Sequence, residues 1–315
     1  MKVPACMREN VPLASMTTFR VGGPAKWFAE PCMRDELVEV LAFAKAAALP
    51  VKVLGGGSNL LVSSAGIDAV VVRLSGRGEF GVLEKVEERP DTLRVGAAVP
   101  LQSLLSDAAQ RGLAGLEFMA GIPGRIGGAV AMNAGSGNGG IGKRVVRAEM
   151  VYFSGKLRSL DSSELGFRYR GSDLVGCIAT AFVLRFDCGI NPEKLLESMR
   201  SFREKKRASQ PLALPSAGCV FKNPANHSAG ALLDQAGCKG MAEGGAEVSA
   251  VHANFIVNTG GATSHDVATL AGRMRDAVAE RHGIVLEPEL VVWGGDKAFG
   301  AFGAMMDGEA GNVGS

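Results

Sequence analysis

Nine consecutive positions, Ser216-Ala217-Gly218-Cys219-Val220-Phe221-Lys222-Asn223-Pro224, set a thiol, an ammonium and an amide close together. Such a set could give up a proton, hold an anion and orient a polar ligand. Residues 219–222 are predicted as a strand, with Cys219 and Phe221 on one face and Val220 and Lys222 on the other. A lone cysteine in an apolar run reads also as a buried small hydrophobe. Gly166-Phe167-Arg168-Tyr169-Arg170-Gly171-Ser172 holds two guanidiniums beside two aromatic rings. A planar guanidinium fork suits carboxylate or phosphate, although plain surface arginines fit the same pattern. Glu287-Pro288-Glu289 opens an apolar stretch. A buried Glu289 would need a partner; without one it belongs on the surface.

Two glycine loops could hold phosphate. Gly55-Gly56-Gly57-Ser58-Asn59 directly follows a short β-rich run. Glycines there let the backbone take positive φ and come close to an anion. Successive N–H groups then form a nest, and Ser58 and Asn59 add side-chain donors. The second loop is Gly121-Ile122-Pro123-Gly124-Arg125-Ile126-Gly127-Gly128-Ala129. Pro123-Gly124 reads as a type II turn, and Gly127 and Gly128 permit close packing. Two loops beside one sheet suit an extended dinucleotide; two ordinary tight turns are the plainer alternative.

Several chemistries find no support. No Gly-Lys-Ser/Thr follows the first loop, so it is not a P-loop. Gly135, Gly137 and Gly140 match G-x-G-x-x-G formally, but a poor strand precedes them and no clear helix follows. His227, His252, His265 and His282 lack i, i+4 spacing, and the six cysteines form no C-x-x-C pair, so no metal site is expected. No G-x-S-x-G elbow is present. With 34 basic and 32 acidic residues the net charge is +2, which gives no electrostatic case for nucleic acid. The densest basic run, Arg203-Glu204-Lys205-Lys206-Arg207, reads as a solvated helix face or a local anion site. The N-terminus has no apolar core of a signal peptide. No segment approaches the roughly 18 apolar residues of a membrane span. A reducing cytoplasm with free thiols is the simplest compartment.

The elements that must carry these residues alternate in type. Strands are predicted at 51–54, 69–74, 145–153 and 178–186. Helices are predicted at 34–49, 101–111 and 192–207, the first with Leu37, Val40, Leu41 and Ala44 on one face. Residues 209–216 read as a linker. Beyond it come a strand at 219–222, a helix at 228–236, a strand at 254–258 and a helix at 264–281 with Ser264 as N-cap. A last strand is predicted at 284–293, and the Gly-, Ala- and acid-rich tail beyond 301 as frayed. A chain of 315 residues suggests two domains, or three small ones.

Taken together, segments 17–25, 54–62, 121–133, Tyr169-Arg170, 215–224, 246–258 and 286–289 resemble the UDP-N-acetylenolpyruvoylglucosamine reductases, in that family's order from about residue 12 to 296. The resemblance implies an α+β chain. Residues 1–208 would form an FAD-binding fold of the vanillyl-alcohol-oxidase type, in lobes of about 1–75 and 76–208. A smaller α/β substrate domain would cover 209–283, a strand in 284–300 would return to the FAD domain, and 301–315 would be a flexible tail. Non-covalent FAD would lie along Gly55–Asn59 and along Gly121, Ile122, Pro123, Gly124, Gly127, Gly128 and Ala129. NADPH would reduce it. Flavin would then pass hydride to the methylene carbon of UDP-N-acetylglucosamine enolpyruvate, giving UDP-N-acetylmuramate. By the same likeness Arg170 would hold the substrate carboxylate, Glu289 would assist at the developing enol, and Cys219 would protonate the remaining carbon. Tyr169, Arg207, Lys222 and Asn223 would meet the rest of the substrate. A monomer is the expected state.

Two departures stand out. Many relatives carry serine where this chain has Cys219. Many also have Ala-Tyr-Gly where this chain has Ala134-Gly135-Ser136-Gly137-Asn138-Gly139. The long insertion and extra tyrosine loop of the larger subtype are missing, so the shorter subtype is expected. An oxidase of the same fold and a non-catalytic nucleotide-sugar binder are the competing readings. The first loop has no histidine for covalent flavin attachment, and a binder needs no proton donor.

Overall fold

Short strands build a frame around the first glycine loop. The computed structural model describes residues 2–87, 89–136 and 139–294. The first sheet runs in the order Met7–Pro12, Pro24–Ala29, Ile67–Val72, Val51–Val53. Its first pairing is antiparallel and the other two are parallel. Helix Arg34–Ala46 covers this sheet with Leu37, Val40, Leu41, Phe43 and Ala44 buried. Each large apolar side chain so buried contributes about 1.5–3 kcal/mol. The helix stops short of the predicted residue 49. Ala48 turns left-handed at φ 52°, and the Leu49 N–H bonds back to the Ala44 carbonyl at 3.0 Å.

The second sheet is wholly antiparallel: Leu157–Asp161, Val145–Tyr152, Cys177–Arg185, Arg89–Gly96, Leu83–Val86. Helix Ile126–Ala131 packs on its two central strands, and helices Leu101–Gln110 and Pro192–Ser209 pack on each other beside it. An ion network joins the helix on the first sheet to the second sheet. Arg34 reaches Glu149 at 2.9 Å and Glu79 at 3.1 Å, and Arg94 holds Glu149 through a fork at 2.7 and 2.9 Å. The fork holds the Glu149 carboxyl below the usual range.

The third sheet is Ser216–Cys219, Phe255–Asn258, Ala246–Val248, Ala242–Glu243. Helices Ala229–Gln235 and Ser264–His282 cover it. Its core takes in Phe19, Val21 and Leu61, which belong by sequence to the first lobe. Hydrogen bonds reinforce that junction. Thr18 donates to the Ser216 carbonyl at 2.7 Å, and Asn258 donates to the Phe19 carbonyl at 3.1 Å.

Three local expectations are corrected. Thr263, not Ser264, caps the last helix, accepting from the Asp266 N–H while Asp266 accepts from Thr263. Ser264 is buried and exchanges bonds with Ser64 at 2.9 and 3.0 Å. The predicted strand 219–222 is instead Ser216–Cys219, because Gly218 at φ 80° shifts the register. Alternation fails as a result: Val220 and Phe221 are both buried, while Cys219 keeps some exposure. The predicted last strand contracts to Val291–Trp293, paired in parallel with Leu60–Val62. Residues 286–289 run irregularly beside 220–222, since Pro288 has no N–H to donate to a ladder. Residue ranges 295–300 and 301–315, and positions 137 and 138 of the glycine-rich segment, lie outside the described residues. Among the described residues no helix is long and apolar enough to cross a membrane.

Candidate active site

The two glycine loops meet backbone on backbone. A methyl group on Gly56 would lie 2.7 Å from the Gly124 Cα, and one on Gly57 would lie 2.2 Å from the Met16 carbonyl oxygen. Glycine is therefore demanded at both positions by the chain's own packing. Gly128 is different. It lies near Gly55, yet a methyl group there would meet nothing within 4 Å. The N–H groups of Gly55, Gly56, Gly57 and Ser58 make no hydrogen bond among the described residues. Orphan backbone donors in succession form an anion nest. Open space beside Gly128 and unsatisfied N–H groups opposite it fit a flat, phosphorylated group such as FAD.

The side chains of the first loop act otherwise than the sequence suggested. Ser58 Oγ donates to the Pro123 carbonyl at 3.2 Å, which ties the two loops together. Asn59 Nδ2 donates to the Glu289 carbonyl at 2.9 Å. Both side chains brace the cradle, and the nest is left to the backbone. The second loop is also shorter than expected, because residues from Ile126 onward, including Gly127, Gly128 and Ala129, are helical. Gln102 holds its start, accepting from the Gly121 N–H at 3.1 Å and donating to the Ile122 carbonyl at 2.8 Å. Lys206 Nζ donates to the Ala120 carbonyl at 2.8 Å and the Phe118 carbonyl at 3.2 Å. Burial brings its ammonium down to about 8. Of the basic run, Lys206 is thus turned inward, while Arg203, Lys205 and Arg207 are exposed. Nothing in the sequence singled out Gln102, and Lys206 stood out only as part of the basic run, with no sign that it alone turns inward.

Three separated segments supply the groups predicted to be reactive. Arg170 sits in a tight turn closed by mutual bonds between Arg168 and Gly171 at 3.0 and 3.3 Å. Its φ of 55° is left-handed, an uncommon conformation for a side-chain-bearing residue. Arg170 Nε donates to Glu289 Oε1 at 2.5 Å, and Nη1 donates to the Gly135 carbonyl at 3.2 Å. The guanidinium carbon lies 5.0 Å from the ring centre of exposed Tyr169. Burial raises the Glu289 carboxyl, and Arg170 and Lys222 pull it back. Burial also pushes the Cys219 thiol up to about 12; the Glu289 charge adds to that rise and Arg170 opposes it. The Glu289 N–H bonds to the carbonyl of Val220, the residue after Cys219, at 2.8 Å, so all three groups share one neighbourhood.

The remaining candidates lie around this centre less directly. Lys222 Nζ is 3.6 Å from Glu287, and Asn223 Oδ1 accepts from the Ala229 N–H at 2.9 Å, ahead of the helix that begins there. Arg207 is exposed on the last turn of helix Pro192–Ser209. Asn254, which the sequence reading passed over, grips the Phe221 backbone from both sides at 2.9 and 2.8 Å and so fixes the segment after Cys219. Among the described residues no three His, Cys, Asp or Glu side chains could hold a metal ion.

Comparison with known proteins agrees with this geometry. Residues 25–161 match the FAD-binding domain family model, and residues 210–293 match the UDP-N-acetylenolpyruvoylglucosamine reductase C-terminal domain. The chain is 42% identical to UDP-N-acetylenolpyruvoylglucosamine reductase 2 of Symbiobacterium thermophilum, over 92% of this chain and 93% of that one. It is also 42% identical to the reductase of Moorella thermoacetica, over 90% and 92%. The crystal structure of the Thermus caldophilus reductase superposes with a TM-score of 0.79 at 38% identity, covering 91% of this chain and all of that one.

The chain belongs to the UDP-N-acetylenolpyruvoylglucosamine reductase family.

Membership gives the α+β architecture its meaning: the two sheets around the glycine cradle form an FAD-binding fold. It also makes Gly128 testable in this reductase. Gly128→Ala meets no atom of the protein, so the fold is expected to keep its melting temperature in the absence of flavin. The added methyl would enter the cradle, and FAD affinity is expected to fall about tenfold or more, the scale of lost close packing. Flavin fluorescence titration reads this directly; unchanged affinity would mean that the open space is not part of the cofactor site.

Proposed function

We propose that this reductase converts UDP-N-acetylglucosamine enolpyruvate to UDP-N-acetylmuramate, a peptidoglycan precursor, using NADPH and non-covalently bound FAD. The observation that carries the reading is the meeting of Arg170, Glu289 and Cys219 in a chain whose glycine cradle leaves backbone donors unsatisfied. In this reading residues 1–208 hold FAD, with lobes of about 1–75 and 76–208. Residues 209–283 bind substrate, and the segment 284–300 carries Glu289 back to the FAD domain. The enzyme works as a cytoplasmic monomer.

The N–H groups of residues 55–58 hold the pyrophosphate of FAD. Bound there, reduced FAD would supply hydride chemistry at the enolpyruvyl methylene carbon. Arginine has five N–H donors, and the two bonds to Glu289 and Gly135 use two of them, leaving three. Those three grip the substrate carboxylate and stabilise the negative charge that grows beside it. Glu289 keeps the guanidinium oriented and assists at the developing enol. Cys219 gives its thiol proton to the remaining carbon. Tyr169, Arg207, Lys222 and Asn223 meet the uridine diphosphate sugar.

Lys222→Glu sets two carboxylates where an ammonium faces Glu287. The KM for the enolpyruvyl substrate is expected to rise at least tenfold while flavin reduction by NADPH holds; an unchanged KM removes Lys222 from the substrate site. The decisive test of the function itself is simple. The purified protein should carry flavin, and its NADPH oxidation should require the enolpyruvyl substrate. Sustained NADPH oxidation with oxygen alone would identify an oxidase instead.

A further inference from the structure

Helix Ile126–Ala131 ends on Asn133 in a left-handed conformation, φ 42°. The backbone closure is that of a Schellman end: Asn133 N–H bonds to the Val130 carbonyl at 2.9 Å, and Ala134 N–H to the Ala129 carbonyl at 2.7 Å. Glycine is the residue that takes this position with least strain. An asparagine there calls for a reason in its side chain, and the side chain makes two bonds. Its Nδ2 donates to the Arg168 carbonyl at 2.9 Å, and its Oδ1 accepts from the Gly142 N–H at 2.9 Å. The neighbouring backbone is cut back to admit it. A methyl group on Gly140 would lie 2.1 Å from Asn133 Oδ1.

Arg168 opens the turn that presents Arg170. The same strip of chain touches that turn again, where the Gly135 carbonyl accepts from Arg170 Nη1 at 3.2 Å. Ser172, just after the turn, donates to the Ala131 carbonyl at 2.8 Å. The helix that carries Gly127 and Gly128 on the cofactor side is therefore bolted at its far end to the turn that aims the guanidinium. We propose that Asn133 is the positioning residue for Arg170, fixing the carboxylate grip relative to the flavin cradle. The claim rests on the reading above that Arg170 holds the substrate carboxylate.

Asn133→Gly tests it in the full-length, FAD-loaded protein. Glycine keeps the helix end, so the melting temperature and flavin binding should hold. Hydrogen exchange in residues 165–173 should speed up about tenfold, the scale of one net hydrogen bond lost. The KM of the enolpyruvyl substrate should rise about tenfold, with flavin reduction by NADPH unchanged. In an Arg170→Met background, Asn133→Gly should add nothing to the kinetic defect. Asn133→Asp, which keeps the acceptor and loses the donor to Arg168, should show the same exchange behaviour and covers the case of a poorly folding glycine variant. Unchanged exchange in residues 165–173 in both variants, or a kinetic defect that adds fully to that of Arg170→Met, overturns the proposal. If the wild-type protein itself is not reoxidised by the enolpyruvyl substrate, the functional reading falls, and the exchange measurement still decides whether Asn133 holds the turn.

Discussion

Cys219→Ala is expected to accept electrons from NADPH at the wild-type rate and then to stall, with flavin reoxidation by the enolpyruvyl substrate slowed about 10²–10⁴-fold, the usual worth of a general acid. Burial and the Glu289 charge push the thiol up to about 12. It therefore holds its proton throughout the working pH range and has one to give. It is also a weaker acid than a free thiol, which has a reference value near 8.5, so in the proposed reaction its proton would go only to a strongly basic, carbanion-like carbon. The bland alternative is a cysteine that only fills space. The two roles predict opposite orders for two variants. A packing cysteine tolerates alanine better than serine, because a hydroxyl in an apolar site must find a partner. A proton donor tolerates serine better than alanine. Stopped-flow reoxidation of Cys219→Ser and Cys219→Ala separates them, and equal rates in wild type and Cys219→Ala end the assignment. No break from this thiol should appear in the rate profile below about pH 10, since its titration lies higher.

Arg170→Lys should bind FAD normally and yet lose about 10²–10³ in the second half-reaction, the cost of removing one well-aimed donor to a developing negative charge. Lysine keeps the charge and loses the fork, so it cannot hold Glu289, the Gly135 carbonyl and a substrate carboxylate in one plane. Arg170→Met goes further and removes the charge. The guanidinium is one of the groups that hold the Glu289 carboxyl down against burial. Without it the carboxyl keeps its proton to higher pH, so the break that follows Glu289 should move upward in the residual activity. Some stability is lost too. Breaking a fully buried pair costs about 3–5 kcal/mol, and less is expected here because both side chains retain solvent contact, 21% and 15% exposed. A Glu289 break that stays in place, or wild-type reoxidation in Arg170→Lys, would take Arg170 out of the reaction.

The glycine loops, the long helices and the family's ordered segments were legible in the chain itself. Each is a local signal: a 3.6-residue apolar period over Arg34–Ala46, a run of residues free to take positive φ at 55–57, a Pro-rich break after 209. The edge strands were not. Met7–Pro12 buries only Met7, and three-residue strands such as Leu60–Val62 are too short to carry a period. Tertiary structure alone decided which of the candidate residues meet. Arg170 and Glu289 are 119 positions apart, and Asn59 and Glu289 are 230 apart. Asn59 and Glu289 meet because Val291–Trp293 pairs with Leu60–Val62, a pairing that no local pattern encodes. Bonds to the Pro123 and Glu289 carbonyls made Ser58 and Asn59 braces between segments. Gly218 at φ 80° broke the expected alternation, which leaves Cys219 at intermediate exposure while Val220 and Phe221 go into the core. Residue types and backbone freedom are properties of the chain; burial, charge neighbours and hydrogen-bond partners exist only after distant segments have packed.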